Sequence, residues 1–244
     1  MTLPIFGQED ARPVRPGSGG ATNRTRIVLW DVDGTILRNG GRAGLLYDDA
    51  IRDVSGFEPV GAHPGEHGKT DAQIISERLT EYGLDPALLP RVSARLDELS
   101  EAGNAGPSAR QLAPGVPEAL AAVADAGWVN GLLTGNSPAR VRFKFAGAGL
   151  PVDRFDWAHS YFGDRALVRS DITRAAAQDL AGSTAVILGD TPSDGSAADA
   201  VGFPFIAVAT GVFSEDVLRE TSAIAVVPDL VEGLPAVLAA LATL

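Results

Sequence analysis

The feature that most constrains this chain is a repeated alternation of short apolar runs with helical patterns. The run Arg-Ile-Val-Leu-Trp over 26–30 stops abruptly at acidic residues, and similar runs recur at 128–133, 184–188, 204–209 and 223–227. Apolar stretches this short, bounded by turn residues, read as strands buried on both faces. Helical patterns lie between them. Ser137-Pro138 opens one, with serine as N-cap and proline in the first helical position; others cover 174–180 and 192–201, the latter closed by Gly202, and an Ala/Leu-rich one covers 230–244. Strands alternating with helices predict an α/β chain with a doubly wound, Rossmann-like parallel sheet.

One stretch breaks the alternation. Between 39 and 112 the pattern predicts helices at 43–54, 71–82 and 86–101, a Gly/Pro linker at 103–107, and no strand. This reads as a mostly helical cap (39–112) inserted after the first strand of a core formed by 25–38 and 113–244. Ligands of open α/β sheets bind beyond the carboxyl ends of the strands, so an insertion leaving from the first strand would sit over the site as a lid. Residues 1–24, rich in proline and glycine and without apolar periodicity, read as a disordered tail.

Composition narrows the chemistry. Cysteine is absent, which excludes disulfides, thiolate nucleophiles and Cys-based metal centres, and three histidines leave little room for a histidine-rich one. Twenty basic against 31 acidic residues give a net charge of −11, which repels nucleic acid. No apolar run approaches a membrane span, and residues 1–20 lack a basic segment followed by an apolar one. The expectation is a cytoplasmic protein, a monomer or weak homodimer, that acts on a small molecule and binds neither nucleic acid nor membrane.

The acidic residues sit at strand ends. Asp31-Val-Asp33-Gly-Thr35 follows the first strand directly; side chains two apart in extended backbone point the same way, so Asp31 and Asp33 would share a site, and Gly34 lets the chain turn after them. Asp190 ends the strand at 184–188, and Asp194 follows on the first helical turn. If the two strands are neighbours the carboxylates converge, an arrangement that repels itself unless a cation neutralises it. Oxygen-only ligands select a hard ion, and Mg2+ is the common choice where phosphate is bound. A third strand end, Thr134-Gly135-Asn136, combines a hydroxyl, a glycine and a helix N-terminus into an anion cradle. Lys144 on the following helix would reach back towards the site, with Arg140 one turn nearer as its competitor. Asp and Gly are also ordinary turn formers, but the full Asp-x-Asp-Gly-Thr string paired with a distant Gly-Asp-x-x-x-Asp outweighs that reading.

At these residues the sequence resembles the haloacid dehalogenase superfamily, in particular its phosphoglycolate-phosphatase-like hydrolases with a helical cap. Asp31 to Thr35 resembles the first family motif, Thr134 to Asn136 the second, and Gly189 to Asp194 the fourth. The third-motif lysine has no counterpart in Phe162-Gly-Asp-Arg-Ala-Leu-Val-Arg-Ser-Asp171; Lys144 is the substitute, with Arg169 as fallback. The resemblance implies Asp31 as nucleophile through an aspartyl-phosphate, Asp33 as acid and base, and Thr134, Gly135 and Lys144 as stabilisers of phosphoryl charge. It implies Mg2+ held by Asp31, Asp190, the Asp33 carbonyl and Asp194. Asn136 is placed with the substrate-binding cradle.

In the insertion, Thr70-Asp-Ala-Gln73 matches a capping box and puts Gly68 and Lys69 at a helix N-terminus, where Lys69 would meet an anionic substrate tail. His67 reads as a loop histidine and Trp30 as packing. The expected activity is Mg2+-dependent hydrolysis of a small phosphate monoester, phosphoglycolate being one candidate. A phosphomutase of the same fold and a non-catalytic phosphate-accepting or binding module are the alternatives.

Overall fold

The computed structural model describes residues 25–40, 44–106 and 109–244; the tail expected over 1–24 lies outside them. Six strands form one parallel sheet: β1 (Arg26–Trp30), β2 (Val129–Thr134), β3 (Tyr161–Phe162), β4 (Thr184–Gly189), β5 (Phe205–Val208) and β6 (Ala225–Val227), in the order β3-β2-β1-β4-β5-β6. The order reverses direction at β1, which therefore sits at the topological switch point, between β2 and β4.

Both sheet faces are covered, which is why the strands read as unbroken apolar runs. Val28, Trp30, Leu132, Val186 and Leu188 face one apolar cluster, and Ile27, Leu29, Leu133, Ala185 and Ile187 face the other. Alternation along each strand divides the side chains between two helical layers. One layer contains α4 (Val116–Asp125), α5 (Pro138–Ala148) and α9 (Leu234–Ala242); the other contains α6 (Arg169–Asp179), α7 (Pro192–Asp199) and α8 (Glu215–Arg219). Trp30 is fully buried and its indole N–H donates to Asn130 Oδ1 at 2.9 Å, so its large ring enters the core without stranding a donor.

Several elements differ from the sequence expectation. Strand β3 is only two residues long, too short to carry a periodicity. Helix α6 begins at Arg169 rather than 174, because the charged first turn (Arg169, Asp171) masks the apolar face that Ile172 and Ala176 bury. Two further helices are not anticipated from the sequence: α4, which buries Val116, Ala119, Leu120 and Val123 on one face while its alanines blur that pattern in the sequence, and α8, which is only five residues long.

Between β1 and β2 the chain builds α1 (Leu45–Ser55), α2 (Asp71–Glu81) and α3 (Leu89–Gly103). These helices bury an apolar cluster of their own, from Tyr47, Ala50, Ile51, Ile74, Ile75, Leu79, Val92 and Leu96. The outgoing and returning connections run side by side: Leu37 bridges Leu112, and Arg38 N–H donates to the Gln111 carbonyl at 2.9 Å. The helical unit thus hangs from a paired stem at the carboxyl end of β1.

Candidate active site

Register places the acidic residues. Trp30 pairs with Leu188 and the Asp31 N–H donates to the Leu188 carbonyl at 2.9 Å, so β1 and β4 end level and deliver Asp31 and Asp190 side by side. Asp31, Asp190 and Asp194 each offer an oxygen within 4.8 Å of the others, and all three are buried. The turn after Asp33 is tight. Gly34 has φ +94°, and a Cβ at that position would collide with the Asp190 carboxylate, so glycine is required both for the turn and for the close approach. Thr35 Oγ1 donates to Asp190 Oδ1 at 3.0 Å. Asp194 closes a capping box at the start of α7: its Oδ2 accepts from Thr191 N–H at 3.1 Å and Oγ1 at 2.7 Å.

Two cations enter this cluster. Arg169, on the first turn of α6, places Nη2 2.6 Å from Asp31 Oδ1 and 2.5 Å from Asp194 Oδ1. Lys144 on α5 donates to Asp33 Oδ2 at 2.5 Å and to Asn136 Oδ1 at 2.6 Å, and Asn136 Nδ2 donates to the same Asp33 oxygen at 2.8 Å. The structure therefore gives the two candidates for the third-motif cation separate partners, Lys144 with Asp33 and Arg169 with Asp31 and Asp194. Arg140, the other competitor, instead forms a buried ion pair with Asp71 and donates to Tyr47 Oη at 3.1 Å.

The electrostatics follow from these partners. Burial pushes the Asp31 carboxyl up to about 7 against the pull of Arg169, and burial together with Asp31 and Asp194 raises Asp190 well above the carboxylate range. Burial also opposes ionisation of Asp33, but Lys144 and Asn136 outweigh it and hold that carboxyl well below its usual range. Burial lowers the Lys144 ammonium, with Asp33 opposing.

The acidic trio fits a divalent ion. Arg169 touches two of the three carboxylates, Asp31 and Asp194, which leaves a formal excess of two negative charges in a buried space when all three are ionised. Asp194 Oδ1 is buried and, despite its contact with Arg169, has no aligned hydrogen-bond donor. Its oxygen-only donors are those of a hard cation.

The remaining sequence candidates line one cavity of about 450 Å3 between the sheet and the helical unit, with Asp31, Asp33, Thr134, Gly135, Asn136, Lys144 and Asp190 on its floor. Lys69 also lines it, with its Nζ paired to Glu77 at 2.6 Å. Gly135 is where the two parts meet: its carbonyl accepts from Asp71 N–H at 2.8 Å, and a Cβ on it would strike the Lys69 carbonyl. Asp71 Oδ2 accepts from Ser137 N–H at 2.9 Å, and Asp97 Oδ1 from Ser137 Oγ at 2.6 Å.

Sequence reasoning passed over Thr35, Asp71 and Tyr47 and ranked Arg169 last. The adjacency of Thr35 to the acidic pair was the only local signal; the partners of the others come from distant segments.

Comparison with known proteins agrees with this architecture. Residues 164–233 match a family model described as "HAD-hyrolase-like". No relative among the curated proteins matches the chain. Among solved structures, CbbY from Rhodobacter sphaeroides in complex with phosphate is 22% identical, with a TM-score of 0.66 over 86% of this chain and 96% of that one. A hydrolase from Pseudomonas syringae is 16% identical, with a TM-score of 0.67 over 87% of this chain and 98% of that one. A predicted phosphatase from Clostridium acetobutylicum is 17% identical, with a TM-score of 0.68 over 89% of this chain and all of that one. At these identities the likeness is one of fold.

Proposed function

We propose that this chain, whose fold and C-terminal family match are those of the haloacid dehalogenase-like hydrolases, is a Mg2+-dependent phosphatase that hydrolyses a small phosphate monoester through an aspartyl-phosphate. The observation that carries the reading is the meeting of Asp31, Asp190 and Asp194 within 4.8 Å at level strand ends, beside a separately held Asp33. The phosphate bound by CbbY on the same fold supports a phosphorylated ligand.

Asp31, Asp190 and Asp194, with the Asp33 carbonyl, would hold the ion, which when bound supplies charge neutralisation for the phosphoryl oxygens. Asp31 attacks phosphorus in line while the bond to the leaving oxygen breaks. Asp33, oriented by Asn136 and Lys144, gives its proton to that oxygen. Phosphoryl oxygens compete with Asp33 for the Lys144 ammonium, which frees Asp33 to carry this proton. In the second half Asp33 takes a proton from the water that attacks phosphorus, and the bond to Asp31 breaks. Thr134, the Gly135 N–H and Arg169 complete the cradle for the transferring group. The helical unit at 39–112 acts as the cap that excludes bulk water and selects the leaving group.

The test is turnover of p-nitrophenyl phosphate with Mg2+. The expected result is release of inorganic phosphate that EDTA abolishes and Asp31→Asn abolishes, with the far-UV spectrum of the variant unchanged. Turnover that survives Asp31→Asn would sink the reading, and transfer of the phosphoryl group to a sugar hydroxyl faster than to water would favour the mutase alternative.

A further inference from the structure

We infer that the leaving group of this enzyme is uncharged and hydroxylated, a polyol or sugar rather than a carboxylate or a second phosphate; the inference rests on the phosphatase reading and concerns the wall of the same cavity where the helical unit meets α5. Charge on that wall is already balanced among the described residues. Arg140, only 1% exposed, is neutralised by Asp71 and hydrogen-bonded to Tyr47. Lys69 is paired with Glu77 at 2.6 Å. Arg78, just behind the wall, is held by Glu66 and Asp48, each at 2.7 Å. Among the described residues, a carboxylate entering this space finds no unpaired cation on the wall and comes close to Asp71 and Glu66, both of which line the cavity. Separating the buried Arg140–Asp71 or Arg78–Asp48 pair to receive it would strand one of the original partners, a cost that outweighs the new contact, whereas the exposed Lys69–Glu77 pair is the weaker restraint.

The same wall is equipped for neutral oxygen. Arg140 Nε is buried without an acceptor, on a side chain that lines the cavity. Because Asp71 has already neutralised its charge, this N–H suits a hydroxyl oxygen, and an unfilled buried donor penalises ligands that lack one. The cavity, at about 450 Å3, exceeds what a two-carbon ester fills. Phosphoglycolate, raised by the sequence resemblance, is thus the disfavoured member of its size class.

The experiment uses pairs of esters matched in length and differing in one group. Hydroxyethyl phosphate is set against 2-phosphoglycolate, and glycerol 3-phosphate against 3-phosphoglycerate. Each is titrated as a competitor of p-nitrophenyl phosphate turnover at one fixed pH. The expected result is a Ki about ten-fold or more lower for the hydroxyl member of each pair. Asp71→Asn, which unmasks Arg140, is expected to shrink or reverse that ratio. Glu77→Gln unmasks Lys69 from an exposed position without threatening the fold and is expected to move the ratio the same way. Equal or tighter binding of the carboxylate members by the unaltered enzyme overturns the inference while leaving the phosphatase reading intact. Absence of any p-nitrophenyl phosphate turnover overturns the phosphatase reading itself.

Discussion

Replacing Arg169 by methionine isolates the electrostatic problem at the centre of this site. The substitution keeps most of the apolar stem and removes the guanidinium that touches Asp31 at 2.6 Å and Asp194 at 2.5 Å. Both acids are buried, Asp194 completely, so each loses a partner that water cannot replace. Breaking a buried pair by deleting one member costs about 3–5 kcal/mol, because the remaining charge stays desolvated. With a urea m-value of about 3 kcal/mol/M, the midpoint falls by about 1–1.7 M. The assay is urea unfolding followed by far-UV circular dichroism, in EDTA and again in saturating Mg2+. A divalent ion would relieve the same excess charge, so Mg2+ should raise the midpoint more in Arg169→Met than in the unaltered protein; binding at about 100 times Kd contributes roughly 2.7 kcal/mol. An EDTA midpoint within about 0.3 M of the unaltered protein would refute the claim that Arg169 offsets the buried acids. An Mg2+ shift no larger than that of the unaltered protein would refute their role as one shared cation site.

Other perturbations address separate parts of the molecule. Lys144→Met leaves Asp33 with Asn136 as its side-chain donor and removes a phosphoryl cation; kcat for p-nitrophenyl phosphate is expected to fall about 10²–10³-fold, read by steady-state kinetics. Gly34→Ala forces a Cβ into the Asp190 carboxylate at φ +94°, and a titration of activity against Mg2+ should show a higher half-saturating concentration. Tyr82 Oη donates to Asp48 at 3.1 Å and meets His63 Nε2 at 2.7 Å; burial, then Asp48, push its phenol up to about 12. Its contribution is therefore fully present below about pH 10, where the unfolded phenol ionises, and is lost as pH rises towards 12, so thermal melts across that window should decline less steeply for Tyr82→Phe.

The sequence by itself determined the layered architecture. Short apolar runs such as 27–30 and 185–188 read as strands covered on both faces, and the helical periods between them predict parallel pairing, as the two apolar clusters and the sheet bear out. It also determined which strand ends carry acids, because Asp31, Asp33, Asp190 and Asp194 lie within a few residues of those runs. Tertiary structure alone decided how the charges pair. Arg169 lies 138 residues from Asp31, Lys144 111 residues from Asp33, and Arg140 69 residues from Asp71. No local pattern says which of three buried cations meets which acid, because Coulomb and desolvation energies depend on distance in space and exclusion of water. The cap shows the same division. The helix start at Thr70 was legible, and Thr70 Oγ1 does accept from Gln73 N–H at 3.0 Å, but the expected capping box is only half formed, because Gln73 Nε2 donates to Glu77 at 2.9 Å instead. That the Asp71 side chain, at the start of α2, would neutralise Arg140 on α5 follows only from the way the helical unit settles on the ends of the sheet.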